Sequence, residues 1–409
     1  MRSYSFFTIV LLCLAILLID ALAFYWLLSI TRPITSILLK NSIYIAFWIF
    51  TIGLITSILL LKIKLELVAP ERQQLIISRL YGLTVSSFIP KFIFVVVISI
   101  LYFSNFVFSE QESLIIIPLV GVFSGFLPFF VILYAIFSAV YRFKVHHIKL
   151  NFDALPMRYN GLRIVHISDL HLGSFNFKYY NLQKAIKKIN QLKPDFIFFT
   201  GDLVNNFAWE LRGWDSVLNQ LSAKQGKIAV LGNHDYGDYS QWPTPHDKQI
   251  NFKGIQEFYK KIDFKLLMNE AEVFENSDTQ IAIIGVENWG NGGFKKYGDL
   301  EKALEKVDDS NFKILLSHDP SHWPEEVAHH TDIALTLSGH THGMQAGISF
   351  RNKKWSPIKY KYKHWAGLYK EGGQYLYVTR GLGWMGFPGR LGMRPEITLI
   401  ELSCAKDMT

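Results

Sequence analysis

The sequence contains only 2 cysteines among its 409 residues, and its first third contains no histidine. Cys13 falls within an apolar run, and Cys404 lies near the C-terminal end of the sequence. Two such cysteines form neither a disulfide framework nor a thiolate metal site. All 13 histidines lie at or beyond His146, so any imidazole chemistry belongs to the later part of the chain.

Charged side chains are also scarce at the start of the sequence. Residues 1–141 include only eight Lys or Arg and five Asp or Glu. The composition changes near residues 141–143, so we predict a transmembrane anchor domain over residues 1–145 and a second domain over residues 150–405. The formal net charge of +8 is moderate. The sequence has no dense basic stripe with interleaved aromatic residues, so we expect no nucleic-acid partner.

Four apolar runs in the first domain are long enough to cross a membrane, which takes about 20 residues in a helix. They cover residues 5–30, 42–61, 89–108 and 114–141. The first run lacks a short apolar core followed by a small-residue cleavage site, so we expect it to be retained as an anchor. The sequence therefore predicts a multi-pass integral membrane protein with four transmembrane helices.

Basic residues cluster after the second and fourth runs, whereas the loop between the third and fourth runs carries Glu110 and Glu112. The basic residues are Lys62, Lys64, Arg72, Arg79, Arg142, Lys144 and Lys149. The positive-inside bias predicts that the second domain lies in the cytoplasm, at a bacterial inner membrane. Arg32 and Lys40 in the first loop argue mildly for the opposite orientation.

Asp20 is the one clear ionisable residue within a predicted span, and the sequence shows no obvious partner for it. Ionisable residues at membrane depth usually mark a transport path, and such paths rarely lack several of them. We therefore favour an anchor over a transporter.

The second domain alternates strand-like and helix-like patterns. Short runs rich in Ile, Val, Leu and Phe predict strands at residues 162–168, 196–200, 227–231, 280–285, 313–317, 333–338 and 374–379. Residues 179–192 and 300–307 have apolar side chains at helical spacing. This alternation predicts a layered α/β domain.

Five short polar signatures follow these runs, nearly all of them directly after a predicted strand. They are Asp169-Leu170-His171, Gly201-Asp202, Gly232-Asn233-His234-Asp235, Ser317-His318-Asp319 and Gly339-His340-Thr341-His342. Ligands gather at the carboxyl ends of strands in such domains, and residues i and i+2 of an extended chain point to one side. Clustered carboxylates and imidazoles are costly without a compensating ion, so the signatures predict a metal site.

Carboxylate, amide and imidazole ligands suit Mn, Fe, Zn or Co better than a soft-thiolate metal. Two such divalent ions about 3.5–4 Å apart can share a hydroxide and clamp the attacking and leaving oxygens at phosphorus.

The series of five signatures resembles the calcineurin-like metallophosphoesterase family over roughly residues 162–401. The resemblance implies a sandwich of two mixed sheets flanked by helices, in α/β/β/α layers, behind a four-helix membrane domain. It also implies one metal held by Asp169, His171 and His342, a second held by Asn233, His318 and His340, and Asp202 bridging both.

His234 is not needed as a ligand, so we expect it to stabilise developing charge or protonate the leaving oxygen, with Asp235 orienting it.

Residues 236–248 carry three aromatic side chains and two prolines and are a candidate cap over the site. Arg390, among glycines, is a candidate for gripping a phosphate in a bidentate manner. The basic, aromatic segment 355–365 is either a membrane-interface patch or a hairpin edge guarded by lysines, and the edge is slightly favoured.

The tail Arg380-Gly381-Leu382-Gly383, with Arg394-Pro395-Glu396-Ile397, is similar to the membrane-associated bacterial branch of that family. Some members of that branch hydrolyse UDP-diacylglucosamine or phospholipid-like substrates. The resemblance thus implies a role in lipid metabolism, in which a metal-bridging hydroxide attacks a phosphomonoester, phosphodiester or pyrophosphate of a lipid-linked substrate among membrane lipids. The alternatives are a phosphodiesterase or phosphatase acting on soluble nucleotides or phosphoproteins, and a membrane sensor or transporter with a regulatory phosphoesterase domain.

Overall fold

The structure is a computed structural model that describes residues 5–104, 110–176, 178–276, 279–291, 293–308, 312–350 and 353–404. The chain divides into two compact units. The helical unit comprises Arg2–Ser138 and Gly386–Gly389, and the α/β unit comprises Ala139–Met385 and Arg390–Thr409.

The helical unit contains α1 (Phe6–Ile30), α2 (Ile37–Lys64), α3 (Pro70–Phe103) and α4 (Glu110–Phe137). Within the described residues, four helices are long and apolar enough to cross a membrane, which confirms the predicted helical membrane domain. The third helix begins much earlier than predicted, so Arg72 and Arg79 lie within α3 and not in a loop. Residues 105–108 of the predicted third span lie outside the described residues.

Asp20 has a partner that the sequence did not reveal. The Lys91 ammonium of α3 lies 2.8 Å from Asp20 Oδ1 and 2.9 Å from Oδ2. The Thr51 hydroxyl of α2 donates to the same carboxylate. Three helices therefore meet at one buried polar cluster, and the expectation of an unpartnered Asp20 was wrong.

The α/β unit contains fourteen strands among its described residues. They are β1 (Lys144–Phe152), β2 (Leu162–Ile167), β3 (Phe196–Thr200), β4 (Gly226–Val230), β5 (Lys265–Leu266), β6 (Glu270–Asn276), β7 (Thr279–Gly285), β8 (Phe312–Leu316), β9 (Leu335–Ser338), β10 (Ile348–Phe350), β11 (Lys353–Trp355), β12 (Gly367–Glu371), β13 (Gln374–Val378) and β14 (Glu396–Cys404). Its helices are α5 (Tyr179–Gln191), α6 (Asp215–Leu218), α7 (Pro245–Lys261) and α8 (Leu300–Leu304).

Two six-stranded mixed sheets form the centre of this unit, in the orders β1-β14-β2-β3-β4-β5 and β12-β13-β9-β8-β7-β6. Alternate side chains of each sheet, such as Phe198 of β3 and Ile283 of β7, join one buried core between the sheets. Leu182 of α5 and Ile255 of α7 belong to the core cluster on the first sheet's other face, and Leu300 of α8 belongs to the corresponding cluster on the second sheet. The predicted α/β/β/α sandwich is confirmed.

Segment 355–365 is mostly irregular. Trp355 ends β11 of the short hairpin β10–β11, and Pro357–Tyr360 forms a 3-10 turn. The predicted edge strand is therefore wrong for most of this segment, which instead brings the Tyr362 oxygen to 2.7 Å from Nε2 of His340.

Candidate metal centre

The polar signatures lie at the carboxyl ends of the central strands of both sheets. Asp169, Asp202 and Asn233 follow β2, β3 and β4 of the first sheet, and His318 and His340 follow β8 and β9 of the second. Parallel neighbours end at the same edge of a sheet, so the topology brings these loops together. The structure thus gathers all seven predicted ligands, including His171 and His342, into two adjoining clusters.

The first cluster contains Asp169, His171, Asp202 and His342, whose ligand atoms all lie within 4.8 Å of one another. Nε2 of His342 is 3.1 Å from Nε2 of His171 and 3.2 Å from Oδ1 of Asp169. All four residues are buried. Two carboxylates and two imidazole nitrogens converging on one point form a donor set that fits a divalent transition metal.

The second cluster is built from Asn233, His318 and His340. Nδ1 of His340 lies 2.8 Å from Oδ1 of Asn233 and 3.3 Å from Nε2 of His318. The amide nitrogen of Asn233 donates to the Tyr239 oxygen, which leaves Oδ1 directed at the cluster. This donor set also suits a divalent transition metal.

Asp202 joins the two clusters through one atom. Its Oδ2 lies 3.5 Å from Nε2 of His171 and 3.2 Å from Nε2 of His318. Its other oxygen accepts the backbone N–H of His234 at 2.9 Å. A single carboxylate oxygen therefore faces both donor sets.

Backbone hydrogen-bond acceptors fix the rings of two candidate ligands. Nδ1 of His171 donates to the carbonyl of Val204, and Nδ1 of His318 donates to the carbonyl of Thr200. Since each Nδ1 carries the hydrogen, the Nε2 lone pair is the atom left to face the cluster.

The local backbone is not extended as the i, i+2 argument assumed. Asp169, His171, Asp202, His340 and His342 all have positive φ, between 45° and 72°. Such left-handed conformations cost a non-glycine residue about 1–3 kcal/mol each and persist only when the surroundings impose them. The convergence of these side chains therefore comes from tight left-handed turns.

Gly339 lets the loops of the two sheets approach closely. A Cβ at this position would lie 2.1 Å from Ser168 Oγ and 2.4 Å from Asp169 Oδ2. Only a glycine allows His340 to donate its backbone N–H to Asp169 Oδ1 at 3.0 Å in this arrangement.

Burial strongly shifts the protonation of the clusters. It raises the pKa of Asp169 to about 7 and lowers the pKa of His171 to about 3. Burial also disfavours the charged forms of Asp202 and His318. The attraction between these two side chains outweighs burial, so it lowers the pKa of Asp202 and raises the pKa of His318 to about 10. So many ionisable groups in one buried place are compensated when a divalent cation is bound among them.

His234 lies beside the first cluster without joining it. Its ring is 5.1 Å from the His171 ring, and its Nδ1 donates to the Asn205 carbonyl at 2.7 Å. The prediction that Asp235 orients His234 is wrong, because the Asp235 carboxylate accepts backbone N–H groups elsewhere. The donors are those of Asp202, Leu203, Val204 and Gly232.

Arg390 is not placed to grip a phosphate, so that prediction is also wrong. The side chain is fully buried, and it donates to the carbonyl oxygens of Gly383, Arg380 and Met393. Its Nη2 lies 3.3 Å from Nδ1 of His342. Arg390 thus ties the C-terminal loops together behind a candidate ligand.

Two histidines outside the donor clusters, His322 and His364, are buried. His322 bridges the Ser317 hydroxyl and the Glu326 carboxylate, and the ring of His364 lies against Trp323. His166 is also buried, and its Nε2 lies 2.8 Å from the Thr200 hydroxyl.

Aromatic side chains surround the second cluster. Tyr362 lies 2.7 Å from Nε2 of His340, the Phe294 ring is 4.9 Å from the His340 ring, and Tyr239 contacts Asn233. Tyr239 belongs to the segment predicted as a cap. Tyr362 belongs to the basic, aromatic segment 355–365, whereas no motif in the sequence marks Phe294, which comes from a loop far from the polar signatures.

Comparison with known proteins identifies a family and several relatives of this chain. The model of the calcineurin-like phosphoesterase family matches residues 162–344. The uncharacterized metallophosphoesterase YkuE of Bacillus subtilis is 33% identical over 252 residues, which cover 61% of this chain and 81% of that protein. Phosphodiesterase YaeI of Escherichia coli is 29% identical over 241 residues, covering 59% of this chain and 82% of that protein.

A further relative is named for a membrane domain as well. The zebrafish transmembrane protein with metallophosphoesterase domain is 30% identical over 281 residues, covering 66% of this chain and 60% of that protein. Together with the four long apolar helices, this relative indicates that the present chain is a membrane protein.

Proposed function

Because this chain belongs to the calcineurin-like metallophosphoesterase family, we propose that it is a membrane-anchored, two-metal phosphoesterase acting on a lipid-linked phosphate ester. Family membership makes it a metal-dependent phosphoric ester hydrolase, whose substrate is a phosphate ester. The number of ions, the residues that hold them and the lipid character of the substrate are the proposal.

The observation that carries the two-metal proposal is the shared Oδ2 of Asp202. In this proposal, Asp169, His171 and His342 complete one ligand set, Asn233, His318 and His340 complete the other, and Asp202 belongs to both. Two divalent ions at such a site supply Lewis-acid stabilisation of phosphoryl oxygens and acidify the water nucleophile. The left-handed turns hold the ligand side chains in place before the substrate arrives.

His234 is proposed to be the proton donor to the leaving oxygen. Its Nδ1 hydrogen is engaged by the Asn205 carbonyl, so only Nε2 can exchange a proton with substrate. The side chain is half-buried beside the first cluster, where it can reach a bound ester without binding a metal itself.

A lipid-linked substrate is supported by the presence of both units in one chain. An active site attached to a bilayer meets amphiphilic substrates at high effective concentration, and such attachment offers no evident gain for a soluble nucleotide. A phospholipid or a nucleotide-linked lipid such as UDP-diacylglucosamine has this character. The proposed orientation places the α/β unit in the cytoplasm at a bacterial inner membrane, because Lys62 and Lys64 end the second helix and Arg142, Lys144 and Lys149 follow the fourth.

Hydrolysis of bis(4-nitrophenyl) phosphate by the full-length protein in detergent micelles, with Mn added, tests the two-metal proposal. We expect EDTA to abolish turnover, excess Mn to restore it, and Asp202→Asn to lower it by at least about a hundredfold. Asp263→Asn is a matched control, since Asp263 also has a positive φ of 58° but its side chain is 91% exposed. Equal rates for both variants would exclude the bridging role.

Comparison of lipid extracts from wild-type and deletion membranes tests the lipid substrate. We expect a phosphate ester or nucleotide-linked lipid to accumulate when the enzyme is absent. Unchanged lipid profiles, with turnover of soluble nucleotides by the purified enzyme, would instead favour the soluble-substrate alternative.

One observation bears on the sensor or transporter alternative. Asp20, Lys91 and Thr51 supply more polar groups within the helical unit than the sequence suggested. The Asp20 carboxylate accepts from both Lys91 and Thr51, so these polar groups have partners within the helical unit. An ion pair of this kind occurs where helices pack at membrane depth as well as along a transport path. Ion flux into proteoliposomes, compared between the wild type and Asp20→Asn, separates these roles.

A further inference from the structure

Two aromatic rings contact the candidate ligand His340. The Phe294 ring meets the His340 ring edge to face, at 4.9 Å and 84°. The Tyr362 ring lies 5.4 Å from the same imidazole at 74°. Both rings therefore pack against a residue of the second cluster.

Lys361 places its ammonium against both of these rings. Its Nζ lies 5.2 Å from the centre of the Phe294 ring and 5.3 Å from the centre of the Tyr362 ring. Attraction between a cation and the faces of aromatic rings holds the long side chain in this position. The residue itself remains exposed to solvent.

Among the described residues, the charge of Lys361 is not neutralised by a carboxylate. In the described part of the chain, no acidic side chain forms an ion pair with it, whereas several nearby lysines are paired. Lys363 faces Glu371, Lys295 faces Asp238, and Lys296 faces Glu326. Lys361 is therefore a positioned cation with free hydrogen-bonding capacity beside the second cluster.

We propose that Lys361, held by Phe294 and Tyr362, is a substrate-binding residue that contacts the negatively charged phosphate of the ester. This inference rests on the proposed function, because it assigns a contact to the substrate of that site. A lysine ammonium binds a phosphate oxygen as a point charge with three rotatable donors. The residue acts on substrate affinity and leaves proton transfer to His234.

The test uses full-length protein in nanodiscs of zwitterionic phosphatidylcholine, with Mn added. Inorganic phosphate is titrated as an inhibitor of bis(4-nitrophenyl) phosphate hydrolysis. We expect Lys361→Met to raise the inhibition constant of phosphate and the KM of the diester by about tenfold, with kcat changed by less than about twofold. Lys361→Arg, which keeps the charge, restores most of the affinity.

Lys359→Met is the matched control. Lys359 lies two residues away, and its ammonium lies 5.1 Å from the centre of the Tyr360 ring, but that ring is 77% exposed. We expect the inhibition constant of phosphate for Lys359→Met to stay within about twofold of the wild-type value. An unchanged constant in Lys361→Met, or an equal rise in both variants, overturns the proposal.

A second set of nanodiscs, containing anionic phosphatidylglycerol, separates a substrate phosphate from a lipid headgroup. If Lys361 serves the substrate, its loss weakens phosphate inhibition equally in both kinds of disc. An effect confined to the anionic discs assigns Lys361 to headgroups of the bilayer and overturns the proposal.

Failure of the proposed function would be seen separately. If the wild type hydrolyses no phosphate ester, the two-metal phosphoesterase proposal fails. Calorimetric titration of inorganic phosphate into the Mn-loaded protein then still decides whether Lys361→Met binds phosphate more weakly than Lys359→Met, so the anion contact is judged on its own.

Discussion

Nδ1 of His234 lies 2.7 Å from the carbonyl oxygen of Asn205. A carbonyl oxygen only accepts, so this contact places a hydrogen on Nδ1 and leaves Nε2 to exchange protons with a substrate. The orienting group of His234 is therefore a backbone atom. The role of His234 as proton donor and the role of the Asn205 loop in holding its ring can be tested with separate variants.

His234→Ala is expected to retain its metal and lose most turnover. The side chain lies beside the first cluster but outside its ligand set, and general acid catalysis contributes about a hundredfold or more. Metal content by elemental analysis and kcat on a chromogenic diester are the two measurements. His246→Ala, at an exposed position near the start of α7, is the control. A wild-type rate in His234→Ala would remove this residue from the mechanism.

Glu210, which holds the loop that carries Asn205, is expected to make the stability of the folded protein depend on pH. Its buried carboxylate accepts the backbone N–H groups of Asn205, Asn206 and Phe207. Burial outweighs these hydrogen bonds and raises the pKa of Glu210 from 4.5 to about 7. The folded state therefore holds the proton more tightly than the unfolded chain, so stability falls as the pH rises from 4.5 to 7.

Glu210→Gln checks this linkage, because an amide keeps an acceptor but does not titrate. We expect the melting temperature of the variant to vary less between pH 4.5 and 7 than that of the wild type. Parallel pH profiles for the two proteins would show that Glu210 does not carry the dependence.

Tyr362→Phe is expected to weaken metal binding at the second cluster by about tenfold. With Nδ1 of His340 facing Asn233 and His318, the Nε2 hydrogen donates to the Tyr362 oxygen, which fixes the tautomer and orientation of the ring. The Mn concentration that restores half-maximal activity to EDTA-treated protein measures the effect. Tyr360→Phe, at an exposed ring, should need the same Mn concentration as the wild type.

Asp20→Asn and Lys91→Met are each expected to destabilise the helical unit, because each leaves a buried polar or charged group without its partner. Breaking a buried pair in this way costs about 3–5 kcal/mol, whereas replacing both partners costs much less. The double variant Asp20→Leu with Lys91→Met should therefore melt at a higher temperature than either single variant. Thermal unfolding followed by size-exclusion chromatography in detergent gives the comparison. A double variant less stable than both single variants would contradict a purely structural pair.

The order of elements in the central sheets could be predicted from the sequence because buried strands are continuous apolar runs. The strands at the sheet margins are not continuous apolar runs, so they were not predicted. In β1, lysine and histidine interrupt the apolar residues, and its burial alternates along the strand. The pairing of Asp20 with Lys91 was equally hidden, since the two are 71 positions apart and no local pattern connects them.

The candidate ligands were predictable because each follows a recognisable strand. Their supporting groups were not, because sequence adjacency is a poor guide to contact where the backbone turns sharply. Asp235 follows His234 directly, yet its carboxylate accepts from the loop after β3. Arg390 resembles a phosphate-binding arginine in its glycine-rich surroundings, yet backbone carbonyl oxygens occupy its donors.

Each donor cluster draws side chains from both layers of the sandwich. In the first cluster, Asp169 and His171 follow a strand of the first sheet, while His342 follows a strand of the second. In the second cluster, Asn233 follows a strand of the first sheet and His318 follows a strand of the second. An ion bound in either cluster would cross-link the two sheets at one end of their shared core. By thermodynamic linkage, the resistance of the whole sandwich to unfolding would then rise with the concentration of free metal. Metal supply would set how long the enzyme survives as well as how fast it works.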